Sequence, residues 1–393
     1  MRVPSPTPVG RHPPPWLAVV LVAVVLVAVG CAVTPDFPDR EAGPFRPKPE
    51  IGAQAEPRPP DDPRPPGQGV PGGPAGPPRG CTDPDPQVIA TCLEPVSALV
   101  VLDGAALVGL AAERTTGRIL RVQRQRPIQE VATLAVDATG DGGLTGLALS
   151  PSYAEDELIY AYITTPIDNR VVRIAPGDVP KPVLAGIPRG SSGNAGALAL
   201  DSDGMLVVAT GDAGDPAAAA DPLSLSGKVL RIDPFSRPAQ GNPSGSKVLA
   251  GGLHAPGGLC ADPLSDEVWV TDRAPDRDLL HRVTPGGSLG RAAWTWPARP
   301  GAAGCVVLQG RIQVAFTSGA PMFALGIGPH GTFVGQPVEI PLERYGRVSA
   351  AALSPDGRTV WLGTINKAGG QPISSDERVF VLVDPVGPGG SND

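Results

Sequence analysis

Aromatic residues are only 4% of the 393-residue chain, charged residues only 18%, and there are four histidines. No block of Lys and Arg interrupts a net charge of −7. The basic footprint that a phosphate backbone needs is therefore missing, which argues against a nucleic-acid partner. No Cys-x-x-Cys pair and no His-rich ligand spacing occurs, so nothing supports a zinc site. The longest apolar run, Trp16 to Val29, falls short of the roughly 20 residues that cross a bilayer comfortably. Amphipathic helical patterns are also missing between the apolar runs. In their place stand 51 glycines and 50 prolines, which disfavour a helical bundle and favour short strands joined by turns, plus a disordered part.

The amino end reads as an export signal. Arg2 and Arg11 give a positive start, the apolar run follows, and Ala28-Val29-Gly30-Cys31 looks like a bacterial lipoprotein cleavage box. Residues 1–30 are then a signal peptide, and acylation of Cys31 would hold the mature protein on the extracytoplasmic face of the cell membrane. A plain signal peptide or short anchor is the alternative. Residues 31–80 are dominated by Pro, Gly and charge, as in Pro57-Arg58-Pro59-Pro60. Such a segment buries too little apolar surface to offset its conformational entropy and reads as a disordered stalk. At about 3 Å per residue, its roughly 50 residues reach on the order of 150 Å. A flexible tail is expected over 387–393.

Beyond Cys31 the cysteines are Cys81, Cys92, Cys260 and Cys305. An even number in an oxidising compartment suggests two disulfides, with three pairings possible and buried free thiols as the alternative. Cys81–Cys92 with Cys260–Cys305 is favoured, because the first pair would pin the start of the folded region.

After Cys92 the texture becomes modular. A turn with Asp, Pro or Gly precedes a short apolar strand at Asp103-Gly104, Ser150-Pro151, Asp203-Gly204, Asp262-Pro263 and Pro355-Asp356-Gly357. Repeats of about 40–50 residues fit six or seven times, which predicts an all-β propeller over 81–386, with a sandwich or solenoid as the alternative. The most informative unit is 197–234, where the apolar run Met205 to Thr210 leads into Gly211-Asp212-Ala213-Gly214 and then Ser224-Leu225-Ser226-Gly227-Lys228-Val229-Leu230-Arg231.

That unit resembles the soluble, pyrroloquinoline-quinone (PQQ) dependent sugar dehydrogenases of the glucose/sorbosone dehydrogenase type, here in an actinobacterial-type lipoprotein with a degenerate site. Glu113-Arg114-Thr115-Thr116-Gly117-Arg118-Ile119, Gly142 to Ala148, Leu253 to Pro263 and Arg347 to Gly357 extend the likeness over most of 97–385. The resemblance implies a six-bladed β-propeller with PQQ over its central opening and calcium beside the quinone.

The resemblance also locates what has changed. The histidine that would take a proton from the sugar hydroxyl falls at Gly193, with Asn194 beside it. The quinone-facing Arg-Asn-Pro-Gln-Gly is His254-Ala255-Pro256-Gly257-Gly258, which loses a bidentate guanidinium. Of two later arginines Arg347 remains, the second position being Ser349, and no lysine stands near Thr317-Ser318-Gly319. The calcium ligands would be the Ala274 and Pro275 carbonyls and Asp278, with a solvated acidic loop as the plainer explanation. Asp141, Asp212 and Asp215 lie on loops that a propeller would gather on one face, and Trp294 and Trp296 could stack a sugar. The expectation is a protein without dehydrogenase activity or cofactor that binds a sugar or an envelope protein. The alternative is an active enzyme needing PQQ and calcium, with His254 as base.

Overall fold

The computed structural model describes residues 80–262 and 265–383. The expected signal peptide, Cys31, most of the stalk and the tail lie outside the described residues. Six sheets, antiparallel except for one parallel pairing at the edge of the third, form the blades of a propeller. Blade one is Val96–Asp103, Val108–Glu113, Arg118–Gln123 and Gln129–Thr133. The innermost strands of the following blades are Leu144–Leu149, Gly196–Leu200, Pro256–Ala261, Ala302–Leu308 and Val348–Leu353. Each innermost strand contacts the next around the whole ring.

Closure comes from outside the sequential order. Val88–Ala90, which precedes blade one, forms the outermost strand of blade six, with Val88 opposite Phe380 and Ala90 opposite Val379. A polar cluster fixes this return. Arg378, nearly fully buried, pairs with Asp376 at 2.9 Å and Asp83 at 3.2 Å, and the Tyr345 hydroxyl donates to Asp85 at 2.8 Å.

Burial explains why the strands read as apolar runs rather than alternating ones. Six apolar clusters are present, one between each pair of neighbouring blades. A blade clamped on both sides needs apolar residues on both faces, as in the fully buried Val108–Glu113 and Ile159–Thr164. Trp269, Trp294, Trp296, Phe316, Phe323 and Phe333 form one aromatic cluster between blades four and five. Trp294 and Trp296 therefore pack edge-on and tilted against phenylalanines, which corrects the expectation of a sugar-stacking surface.

The topology also separates two kinds of loop. The turns that mark the repeat, such as Asp203-Gly204 and Asp356-Gly357, join the first and second strands of a blade and lie on one face. Loops that lead into an innermost strand, or leave a second strand, lie on the other. Gly193, Asp141, Asp212, His254, Asp278 and Arg347 all belong to that second face.

Both favoured disulfides are formed, Cys81–Cys92 and Cys260–Cys305. The second joins the innermost strands of blades four and five. Loop closure over 11 and 45 residues corresponds to about 3 and about 4 kcal/mol of destabilisation on opening. Replacing Cys92 by Ser should lower the denaturant midpoint in proportion to the smaller value and Cys305→Ser to the larger. Equal midpoints for wild type and both variants under oxidising conditions would show that neither bridge constrains the unfolded chain.

Candidate active site and its relatives

At the loop face the innermost strands surround a cavity of about 250 Å³, close to the lower end of the roughly 300–1,000 Å³ usual for ligand pockets. Its wall carries Arg114, Arg273, Arg347, Asp141, Ser97, Thr145, Thr317 and Ser349. Hydroxyls tie adjacent blades together beneath it. Ser97 donates to Leu144 O at 2.5 Å, Thr145 Oγ1 accepts from Gly196 N at 3.1 Å, and Ser349 donates to Val96 O. A larger groove, about 880 Å³, runs along the edge of blade three past Ala219, Leu223 and Gly287. The one ammonium in its wall, Lys228, donates to the carbonyls of Ala219 at 2.6 Å and Ser226 at 2.7 Å, so that groove offers a ligand little charge.

Three guanidinium groups meet at the axial cavity. Arg114 follows the second strand of blade one and donates through Nη1 to the carbonyls of Gly142 at 2.8 Å, Gly140 at 3.2 Å and Ala138 at 3.3 Å. Arg347 precedes the innermost strand of blade six and donates to Thr317 O and, at 2.7 Å, to Ala368 O. Arg273 ends the second strand of blade four, its Nε 3.3 Å from Ala255 O. Among the described residues nothing accepts from Nη2 of any of the three. Burial lowers the Arg114 pKa, with the Arg273 charge adding to the effect and Asp141 opposing it. A bound anion would offset both the cost of desolvation and the repulsion.

Only one arginine was expected here, so Arg114 and Arg273 were missed. Arg114 stands inside the quoted Glu-Arg-x-x-Gly-Arg-Ile stretch, and its place directly after a strand was the available signal.

Gly193 sits at φ +68°, and a Cβ there would lie 2.5 Å from Asp212 Oδ1 and 2.9 Å from the Ala213 and Gly214 nitrogens. The Asp212 carboxylate fills the place a side chain would take. Asp212 is itself buried and accepts from Gly214 N at 2.7 Å. Burial raises its pKa.

The other expected residues divide clearly. Asp141 is on the cavity wall, its carboxylate accepting from Asn194 N at 3.1 Å and Ala195 N at 3.4 Å. The Asn194 side chain is buried and tied at 2.9 Å to both backbone groups of Gly190, so it holds its own loop and does not face a ligand. Asp215 caps the short helix Pro216–Ala220 through Ala217 N and Ala218 N. Asp278 is buried and accepts from Ala302 N at 2.8 Å and from Gly301 N. Its carboxylate thus secures the approach to blade five beside the buried Ala274 and the exposed Pro275. Among the described residues no three His, Cys, Asp or Glu side chains converge as metal ligands.

His254 lies outside the cavity wall but has a built environment. Asp272, fully buried, accepts from His254 N at 3.0 Å, Ala255 N at 2.8 Å and the ring Nδ1 at 3.1 Å. Asp212 N donates to His254 O at 2.8 Å, which brings the loop of blade three against it. The hydrogen bond to Asp272 raises the His254 pKa, and the Asp212 and Asp276 charges add to it. Buried His281 lies close enough to feel both groups, and its pKa is lowered by burial.

The glucose/sorbosone dehydrogenase family model matches residues 93–302. The chain belongs to that family. An aldose sugar dehydrogenase of Escherichia coli is 27% identical over 40% of this chain and 48% of its own length. Quinoprotein glucose dehydrogenase B of Acinetobacter calcoaceticus is 25% identical over 47% of each chain. The matched part thus spans about half the length of these curated relatives. Among solved structures, the PQQ-bound aldose sugar dehydrogenase of Streptomyces coelicolor is 30% identical with TM-score 0.71, over 76% of this chain and 96% of that one. A glucose dehydrogenase-type oxidoreductase of Thermus thermophilus is 31% identical with TM-score 0.68, over 75% and 98%. The likeness to PQQ-dependent sugar dehydrogenases stands, and with it the six-bladed fold.

His254 and His281 are shifted in opposite senses. His254, raised, gains its proton more readily folded than unfolded, so its contribution to stability is present below the unfolded pKa and fades as pH rises through the folded one. His281, lowered, opposes folding as pH falls below its unfolded value. Ring-proton NMR should place the His254 midpoint above and the His281 midpoint below that of an exposed histidine, and Asp272→Asn should bring His254 down. A His254 midpoint unmoved by that substitution would remove the ion pair as its cause.

Proposed function

We propose that this family member is an extracytoplasmic binding protein, tethered through Cys31, that takes a small anionic ligand at its axial mouth and does not oxidise sugars by the family route. The observation that carries the reading is Gly193. The position that resemblance assigns to the proton acceptor has no side chain, a left-handed backbone and the Asp212 carboxylate in its place. A frame without its site residues does not carry the chemistry of the frame.

The relative from Streptomyces coelicolor binds PQQ, which has three carboxylates. The charge of Arg114, Arg273 and Arg347 suits such a ligand, but the position of the proton acceptor carries no side chain. Asp278, the carboxylate assigned to calcium, accepts two backbone N–H groups on a single oxygen. No oxidation step is therefore derived. A second reading, an active PQQ- and calcium-dependent sugar dehydrogenase with relocated groups, draws its support from the His254–Asp272 pair, in which a buried carboxylate holds an imidazole by Nδ1.

One assay separates the two. With PQQ, calcium and glucose present, the binding protein leaves an artificial electron acceptor oxidised, whereas glucose-dependent dye reduction lost in His254→Ala would establish the second reading. Calorimetry should detect saturable binding of PQQ or a simpler carboxylate, weakened roughly tenfold by Arg347→Ala, the loss expected for one charge-assisted hydrogen bond. Cys31→Ala should shift the protein from the membrane fraction to the soluble one, and unchanged fractionation would end the tether.

A further inference from the structure

The axial mouth carries two unlike kinds of group. Arg114, Arg273 and Arg347 bring positive charge to the cavity wall. Arg273 comes from blade four, and beside these cations the loops of blades two to four also carry acceptors. Asp141 is on the wall, Asp212 feels the charges of Asp141, His254 and Asp272, and His254 presents a ring whose Nδ1 is held by Asp272. With Nδ1 donating to a carboxylate, Nε2 is an acceptor in the neutral ring and a donor in the imidazolium, and the His254 side chain is 31% exposed. Among the described residues nothing hydrogen-bonds to Nε2.

A third observation concerns the floor. Gly196 lines the cavity, and a Cβ on it would lie 2.4 Å from Cζ of Tyr162, so the tip of that ring rests directly underneath. The Tyr162 hydroxyl is fully buried and without a partner among the described residues.

We infer that the ligand is a polyhydroxy monocarboxylate, a sugar acid of the aldonate or uronate class. The inference rests on the anion-binding reading above and adds the hydroxyl side to it. The carboxylate pairs with the Arg273 and Arg114 guanidiniums, for which planar bidentate contact is the favoured geometry. Vicinal hydroxyls donate to the Asp141 carboxylate and pair with His254 Nε2, which accepts when the ring is neutral and donates to a hydroxyl oxygen when it is protonated. A neutral sugar would leave the guanidiniums uncompensated. A plain dicarboxylate would set a second negative charge against Asp141 and Asp212.

The test is titration calorimetry of the full-length chain with gluconate, glucuronate, glucose and succinate. At least one of the two sugar acids should bind saturably, about tenfold or more tighter than glucose or succinate, a ratio that a single charge-assisted contact can supply. Arg273→Ala should weaken sugar acid and succinate alike. Asp141→Asn should weaken the sugar acid and tighten succinate, whose second charge it no longer repels, and His254→Ala should weaken the sugar acid without tightening succinate, while Arg273→Lys keeps part of the affinity and guards against a folding defect. Glucose binding as tightly as gluconate, or neither sugar acid binding, would overturn the inference. Succinate or PQQ binding without sugar-acid binding would also overturn it, yet leave the anion-binding mouth standing. Glucose-dependent dye reduction would instead remove the reading on which both rest.

Discussion

The axial mouth depends on a strand of three residues. Val88–Ala90 completes blade six from the wrong end of the sequence and so converts a row of sheets into a ring. A row would leave blades one and six with bare apolar faces; the ring buries both in the cluster built around Leu93, Val96 and Trp361. The hydroxyl contacts between innermost strands then act around a closed circle, and Ser349 reaching Val96 spans the closure itself. Three arginines from blades one, four and six meet only because that circle is shut.

Ring closure also explains why the mouth holds so much unlike charge in so little space. Each guanidinium is fixed by loop carbonyls, and the carboxylates are fixed by backbone N–H groups. The groups are thus held by neutral dipoles and not by one another, and their charges remain available. Such preorganisation suits recognition, because little side-chain freedom is lost when a ligand arrives. The glycine at 193 belongs to the same economy of space. Its loop packs so closely on Asp212 that a side chain and that carboxylate cannot coexist there.

Much of the fold was legible in the sequence. Turns such as Asp203-Gly204 and Pro355-Asp356-Gly357 mark the repeat because chain reversal has strict backbone needs that few residues meet. The face that gathers Asp141, Asp212 and Asp215 follows from that same periodic order, and the two disulfides were read from an even number of cysteines in an exported chain. The site was legible only in part. Arg114 and Arg273 looked like ordinary strand-end charges, since nothing in a linear pattern tells that two loops three blades apart converge on one axis. Asn194, Asp215 and Asp278 carry the right atoms for a ligand, yet each satisfies backbone groups nearby, and that choice is made by packing. The tryptophans at 294 and 296 alternate as a solvent-facing pair would, but the neighbouring blade supplies phenylalanines to cover them.

The Cys81–Cys92 bridge encloses the closing strand within its own covalent loop. Tension applied to the chain ahead of Cys81 passes through sulfur to Cys92 and on to the long innermost strand Val96–Asp103, bypassing the few hydrogen bonds of Val88–Ala90. The latch of the ring is mechanically shielded: a leash can tug on this propeller without unzipping the seam that keeps it round.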